Sequence, residues 1–334
     1  MIASDIRRAV QARIDLPPPP AARAALAPEF GRRFVLIGDA EEEFDWRAPL
    51  RREHVSTRAV ATLPAATRRF NDAGVVPTYV VDYPVVSTPE SAAVVRAMVA
   101  AGECDVGTQL HPWVNPPFDE EVTPANSFTG NLPVPLQRAK LHALTDAIEA
   151  ATGVRPTVYR AGRYGIGPAT AGLLAEAGYR MDVSVRALFD YSAETGPDFS
   201  RHPIWPWWID ERLLEVPLTA ADTGPLRHWR GLHRHGWLRG PLARTGLRNR
   251  AALTPEGVPL VEALAVIRRL LADGTRLFSL SFHTPSVEPG HTPYVRDAAD
   301  LKAFWAWWDG VFALFAREGV TACRPDDILA AAGR

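Results

Sequence analysis

Short apolar runs and longer amphipathic stretches alternate along almost the whole chain, and this alternation restricts the fold more than any other feature. Residues 34–37 are a buried-strand run that ends at Gly38-Asp39. A helical period follows over 58–71, and 75–81 reads as the next strand. Helix 89–101 and strand 105–110 come next, then a Pro- and Asn-rich loop over 112–135. A helix carrying Leu141, Leu144 and Ile148 leads to a strand at 157–159. Helix 168–177, strand 181–185, strand 213–217, helix 257–272 and strand 277–282 continue the series. A long helix over 301–315 and a strand at 320–322 close it. Spacings of three, four and seven mark the helices, and Gly and Pro punctuate the strands. Seven or eight strands alternating with helices predict an α/β chain with a parallel sheet. A distorted (β/α) barrel needs no linker, and no break in composition divides the chain. A doubly wound open sheet is the alternative, but no Gly-rich phosphate loop follows the first strand. Gly162-Arg-Tyr-Gly165-Ile-Gly167 lacks the required spacing.

The expected organisation is a Pro-rich arm over 1–29 and one barrel domain over 30–334, with a basic and aromatic insertion at about 224–251. With 334 residues, the chain is long enough for a large core. A formal net charge of -1 excludes bulk electrostatics as the device for binding nucleic acid or an anionic membrane. Two cysteines, Cys104 and Cys323, are too few for a disulfide framework or a cysteine zinc site. No run of about 18 apolar residues is present to span a membrane. Arg7, Arg8, Arg13 and Asp15 interrupt any export signal, so the cytoplasm is the expected location.

In a barrel of this kind, reactive side chains come from the C-terminal strand ends and the loops after them. The first strand ends at Asp39-Ala-Glu41, the strand at 105–110 at Gln109-Leu-His111, and that at 157–159 at Arg160. Asp182 and Ser184 lie on the strand at 181–185, and His283 ends the strand at 277–282. Asp39 and Glu41 begin an acidic run that could be merely solvated. They follow a buried-type strand, however, and positions two apart share a face. One carboxylate could bind a metal while the other takes a proton from water. His283, with an ordinary pKa of about 6.5, suits a general acid. Arg160 could orient a carboxylate through its fork of donors, or pair simply with Asp182. Seven arginines, three histidines, Trp229 and Trp237 lie between Asp222 and Glu256, with no acid among them. That segment could bind an anionic polymer, stack sugars or only balance charge. Trp305 and Trp308 follow the apolar stripe of their helix and read as core. Trp205, Trp207 and Trp208 form a loop that could stack carbohydrate or serve as a buried lid.

Seven motifs, in order over roughly residues 30–325, make the chain resemble the polysaccharide deacetylase superfamily (NodB homology, carbohydrate esterase 4), and within it the WalW-type branch. They are Gly38-Asp-Ala-Glu-Glu-Glu-Phe-Asp-Trp46, Thr78-Tyr-Val-Val-Asp-Tyr-Pro84, Gly107-Thr-Gln-Leu-His-Pro-Trp113, Tyr159-Arg-Ala-Gly-Arg-Tyr164, Asp182-Val-Ser-Val-Arg186, Leu214-Glu-Val-Pro-Leu-Thr219 and Leu280-Ser-Phe-His-Thr-Pro285. The resemblance implies a distorted barrel related to the TIM barrel and metal-dependent removal of acetyl groups from N-acetylated sugars. By position, Asp39 resembles the catalytic base, Arg160 the residue that holds it and His283 the general acid. Glu41, His111 and Gln109 stand at the metal-ligand positions, and Trp113, Tyr164 and Asp182 at those of substrate binding. The implied cofactor is a divalent metal, zinc first and cobalt or nickel next. The implied partner is a saccharide, not nucleic acid.

Three departures from the family pattern are plain. Gln109 stands where the family has the first of two histidines spaced four apart, Glu41 replaces an aspartate, and the third motif reads Arg-Ala-Gly-Arg-Tyr. An amide oxygen is a poorer zinc ligand than imidazole. The second expectation is therefore a metal-free, inactive relative that binds a glycan or another anionic polymer.

Overall fold

The computed structural model describes residues 13–226, 245 and 249–333. Strand β1 (Arg32–Ala40) leads to helix α1 (Leu63–Asp72), strand β2 (Thr78–Val81), and helices α2 (Tyr83–Ser87) and α3 (Pro89–Ala100). Strand β3 (Asp105–Leu110), helix α4 (Val134–Thr152), strand β4 (Val158–Ala161), helix α5 (Thr170–Ala177) and strand β5 (Met181–Asp182) follow. Next come the short strands β6 (Trp207–Trp208), β7 (Leu214–Glu215), β8 (Ala220–Thr223) and β9 (Asn249–Ala252). Helix α6 (Leu260–Ala272), strand β10 (Leu277–His283), helix α7 (Ala298–Arg317), strand β11 (Val320–Ala322) and helix α8 (Pro325–Ala332) end the chain.

Eight strands follow one path, β10-β1-β2-β3-β4-β5-β7-β6, and β11 pairs with the start of β1. The sheet curls into a half-barrel flanked by helices, the distorted barrel expected from the alternation. It is mixed rather than wholly parallel, because β6 runs antiparallel to β7. The cause is local: Asp210 accepts from the backbone N–H of Arg212 and Leu213 and turns the chain back after two residues. Trp207 and Trp208 are thus sheet residues, both buried, and the sugar-stacking alternative for this loop is corrected. The hairpin β8–β9 was not foreseen either. Around it the wall is completed by backbone bonds, from Thr219 N to Ser279 O at 3.1 Å and from Ser281 N to Leu253 O at 3.1 Å. The preceding arm packs on the sheet end, where Ala24 N donates to Pro206 O at 2.9 Å. Most of the basic insertion (227–244 and 246–248), including Trp229 and Trp237, lies outside the described residues. Among the described residues, no helix is long and apolar enough to cross a membrane.

Side chains alternate across each strand, so one row of every strand points into the barrel and the other under the helices. On the outer side, Phe34, Phe278 and Phe282 pack with Phe70 of α1 and with Phe304, Trp308 and Phe315 of α7. The inner rows change character along their length. At the bottom, Val35, Ile37, Val80, Val158 and Leu277 form an apolar layer plugged by Ile328 and Leu329 of α8. The interior there is narrow: a Cβ on Gly107 would lie 2.9 Å from both Val158 O and Val80 Cγ1. Higher up, the same rows turn polar, from Ile37 to Asp39 and Glu41 and from Val158 to Arg160. The parallel register aligns Asp39 with His283 and Gln109 with Arg160.

Phe70 touches Phe282, Trp305, Trp308 and Phe312. Phe70→Ala should lower stability by about 3–5 kcal/mol, read as an earlier urea midpoint with an unchanged slope.

Candidate functional site

The polar upper layer floors a cavity of about 630 Å³ whose lining includes Asp39, Glu41, Gln109, His111, Arg160 and His283. Trp113 and Tyr164 also line it, with Phe44, Trp46 and Tyr294. Asp182 does not. It is fully buried, accepts from Ser184 Oγ at 2.6 Å, and lies against Glu215; burial raises both carboxyls above their ordinary range. The parallel register pairs Asp182 with Tyr159 and not with the cavity-lining Arg160.

Arg160 pairs with Asp39, not with Asp182. Its Nη1 donates to Asp39 Oδ1 at 2.5 Å and to Ser281 Oγ at 2.6 Å, and all three residues are buried. One carboxylate oxygen is thereby held, while Oδ2 faces His283 Nε2 at 3.9 Å. The far side of that imidazole is fixed by Glu256. His283 Nδ1 lies 2.6 Å from Glu256 Oε2, and the backbone N–H of His283 donates to Oε1 at 3.1 Å. Ser286 Oγ also donates to Oε1, at 2.6 Å. Burial alone would lower the His283 imidazole, but the carboxylates of Glu256, Glu41 and Asp39 outweigh it and push it up to about 10. His283 therefore carries a proton at neutral pH.

A second arrangement holds His111. Its Nδ1 lies 2.8 Å from Glu42 Oε2, and Trp113, stacked on the imidazole at 4.4 Å, donates its Nε1–H to Glu42 Oε1 at 2.9 Å. Asp82 ties this group down: one oxygen accepts the N–H of Glu42 at 2.7 Å and the other caps α2 through Val85 N at 3.0 Å. With the proton assigned to Nδ1, His111 Nε2 presents a lone pair, 3.6 Å from Glu41 Oε2. Gly162 makes room for the ring, since a Cβ there would lie 2.2 Å from His111 Cδ2.

The charge balance of this floor invites a cation. Burial pushes Glu41 up to about 7 and Glu42 up to about 8, while burial and Glu42 raise Asp82 well above its usual value. Asp39, Glu41 and His283 also offer ligand atoms within 4.8 Å of one another. Between Glu41 and His111 lies the amide of Gln109. Its Nε2 is 3.0 Å from Glu41 Oε2, 3.4 Å from Asp39 Oδ2 and 3.2 Å from His111 Nε2, and its Oε1 is buried without a partner. Exchanging the two ends of the amide would give a carboxylate oxygen, an imidazole nitrogen and an amide oxygen facing one point. That donor set fits a divalent metal of zinc's class.

Glu256, Glu42, Asp82 and Ser281 were not singled out from the sequence. Asp82 directly follows a strand, so the strand-end rule could have found it, and Glu42 lay within the acidic run. Glu256 follows β9, a strand with no readable pattern inside the basic segment.

The Glu256 contact has a measurable consequence. A group whose pKa is raised by folding stabilises the protein fully below its unfolded value, here about 6.5, and this stabilisation is lost as pH rises through the folded value. In metal-free protein, unfolding free energy should therefore fall between about pH 6.5 and 10. In Glu256→Gln that fall should shrink, as denaturant titrations at a series of pH values would show.

No protein-family model matches the chain, and no curated protein matches it. Solved structures do share its fold. The Puue allantoinase is 18% identical over 91% of this chain and 91% of its own, with a TM-score of 0.52. A probable polysaccharide deacetylase from Pseudomonas aeruginosa PAO1 is 18% identical over 91% of this chain and 92% of its own, with a TM-score of 0.50. A 4-alpha-glucanotransferase from Thermococcus litoralis is 12% identical over 90% of this chain but 40% of its own, with a TM-score of 0.50. At these identities the likeness is one of fold: the barrel is that of proteins named as deacetylase and allantoinase.

Proposed function

We propose that this chain hydrolyses the amide bond of an acetamido group on a saccharide, within a WalW-type branch of the polysaccharide deacetylases. One observation carries the proposal: a carboxylate held by Arg160 faces an imidazolium held by Glu256, 3.9 Å apart at the floor of one cleft. A base and an acid that converge on one point of a cleft are what amide hydrolysis needs. Asp39 Oδ2 would take the proton of the attacking water as its oxygen bonds to the acyl carbon. His283 Nε2–H would then protonate the leaving nitrogen as the C–N bond breaks, releasing acetate and an amine. Ser281 and Arg160 hold Asp39 turned toward the cleft, and Glu256 holds the His283 imidazole and keeps it protonated. Glu41, His111 and Gln109 would hold a divalent metal, with Glu42 fixing the tautomer of His111. When bound, the metal would supply Lewis-acid polarisation of the amide carbonyl.

The aromatic walls suit sugar faces, and about 630 Å³ is ample for a monosaccharide unit. The likeness in fold to a protein named as a probable polysaccharide deacetylase supports the same reading. The organisation that goes with it is one barrel over 30–334 with an arm over 1–29.

Gln109 supports a second reading, a metal-free protein that binds a glycan without turning it over. Its amide nitrogen hydrogen-bonds to both Glu41 and Asp39, at the point where a cation's ligands would converge.

Metal content separates the two. Protein made without a chelating tag should hold near one equivalent of zinc, cobalt or nickel, and His111→Ala should lose it. Asp39→Asn and His283→Ala should each lower deacetylation of N-acetylated saccharides at least about 100-fold, with the metal of the His283 variant retained. A protein that takes up no metal when supplied, and turns over no acetamido sugar, is the glycan-binding form instead.

A further inference from the structure

The cleft contains one guanidinium that has no acidic partner among the described residues and no part in the hydrolytic reading. Arg186 follows β5 on the C-terminal rim, where it bridges to Leu218, and it is largely buried. The other two arginines of the cleft are committed. Arg160 is bonded to Asp39, and Arg163 pairs with Glu194. Arg186 has no carboxylate within ion-pair distance among the described residues. Its one hydrogen bond there runs from Nη1 to Tyr191 Oη at 3.1 Å, and its Nε is buried without a partner. Aromatic faces hold it in place, with Phe189 at 4.1 Å and Tyr164 at 5.5 Å from the guanidinium carbon.

A guanidinium half removed from water, with its Nε buried, is poorly compensated by rings alone, and its planar fork is shaped for a carboxylate. Its position adds direction. Both Arg160, at 6.0 Å, and Arg186, at 5.5 Å, lie against the ring of Tyr164. The guanidinium that holds Asp39 and the one that lacks an acidic partner among the described residues thus share one aromatic ring, and both residues line the same cavity. A molecule whose reacting group sits at Asp39 can reach Arg186 with a substituent on the same sugar. The carboxylates of the floor, Asp39, Glu41 and Glu256, repel an anion from their own side, so an acidic substrate would be oriented as well as bound.

We propose that the cleft selects an acidic saccharide, an N-acetylated sugar bearing a carboxylate, and that Arg186 is the residue that reads the carboxylate. This rests on the hydrolytic reading for what happens to the acetamido group, but not for the binding preference.

The test is a binding comparison of N-acetylglucosaminuronic acid with N-acetylglucosamine, followed by quenching of Trp46 and Trp113 fluorescence or by calorimetry. The wild-type protein should bind the acid at least tenfold more tightly. Arg186→Met should erase that preference while leaving the affinity for the neutral sugar unchanged, which also reports that the cleft is intact. Arg186→Lys should keep part of the preference, since it retains the charge but loses the fork. Equal affinity of the wild type for the two sugars overturns the proposal, whether or not either variant folds. A preference that survives in Arg186→Met also overturns it and leaves Arg186 as an aromatic shelf support. A preference that is present and lost on substitution, in a protein that releases acetate from neither sugar, overturns the hydrolytic reading and leaves this one standing.

Discussion

Arg160 carries its charge almost wholly out of water, on a strand in the middle of the sheet, and its charged partner is Asp39 three strands away. Removing one member of such a pair leaves the other charged and unsolvated, at about 3–5 kcal/mol. The contact also sets direction. Because Arg160 and Ser281 both gather at Oδ1, the other oxygen of Asp39 is aimed at His283 and Gln109. Strands β1, β4 and β10 each contribute to that contact, so the curvature of the sheet and the aim of the carboxylate depend on each other. The Glu256–His283 and Glu42–His111 contacts are arranged around this fixed point, each with an acid behind an imidazole.

Much of this was legible in the residues, for reasons that can be named. Asp39, Glu41, His111, Arg160 and His283 each end or follow a run of β-type residues, and a curled parallel sheet brings such ends together. Strands β3 and β11 were readable to the residue, because their apolar runs are bounded by Gly, Asp or Cys-Arg-Pro. What was not legible depends on contacts distant in sequence. Asp182 is also a strand residue, yet nothing in its neighbourhood says that it pairs with Tyr159 and not with the cavity-lining Arg160. The choice of Asp39 over Asp182 as the partner of Arg160 is likewise set by which rows face each other. Helix α2 escaped notice because five residues with an internal proline show no period, and its start is marked only by the Asp82 cap. Strands β8 and β9 are held by pairing across a basic segment whose composition reads as loop. Arg186 stood inside a quoted motif, but its lack of an acidic partner appears only once the cleft is assembled.

The two layers of the barrel interior have different relations to stability. The lower layer is apolar, capped by α8, and contributes to folding. The upper layer gathers Asp39, Glu41, Glu42 and Asp82 away from water, and burial raises Glu41, Glu42 and Asp82 above their ordinary range. These are groups the folded chain would be more stable without. Unselected drift in such a molecule has a direction. Substitutions that neutralise the upper layer, such as a glutamine in place of an acid or imidazole, relieve repulsion and are retained easily, whereas changes below damage the core. Gln109 has the character of such a substitution. In a barrel built this way, the chemistry of the rim could be lost by small steps that each leave the protein better folded.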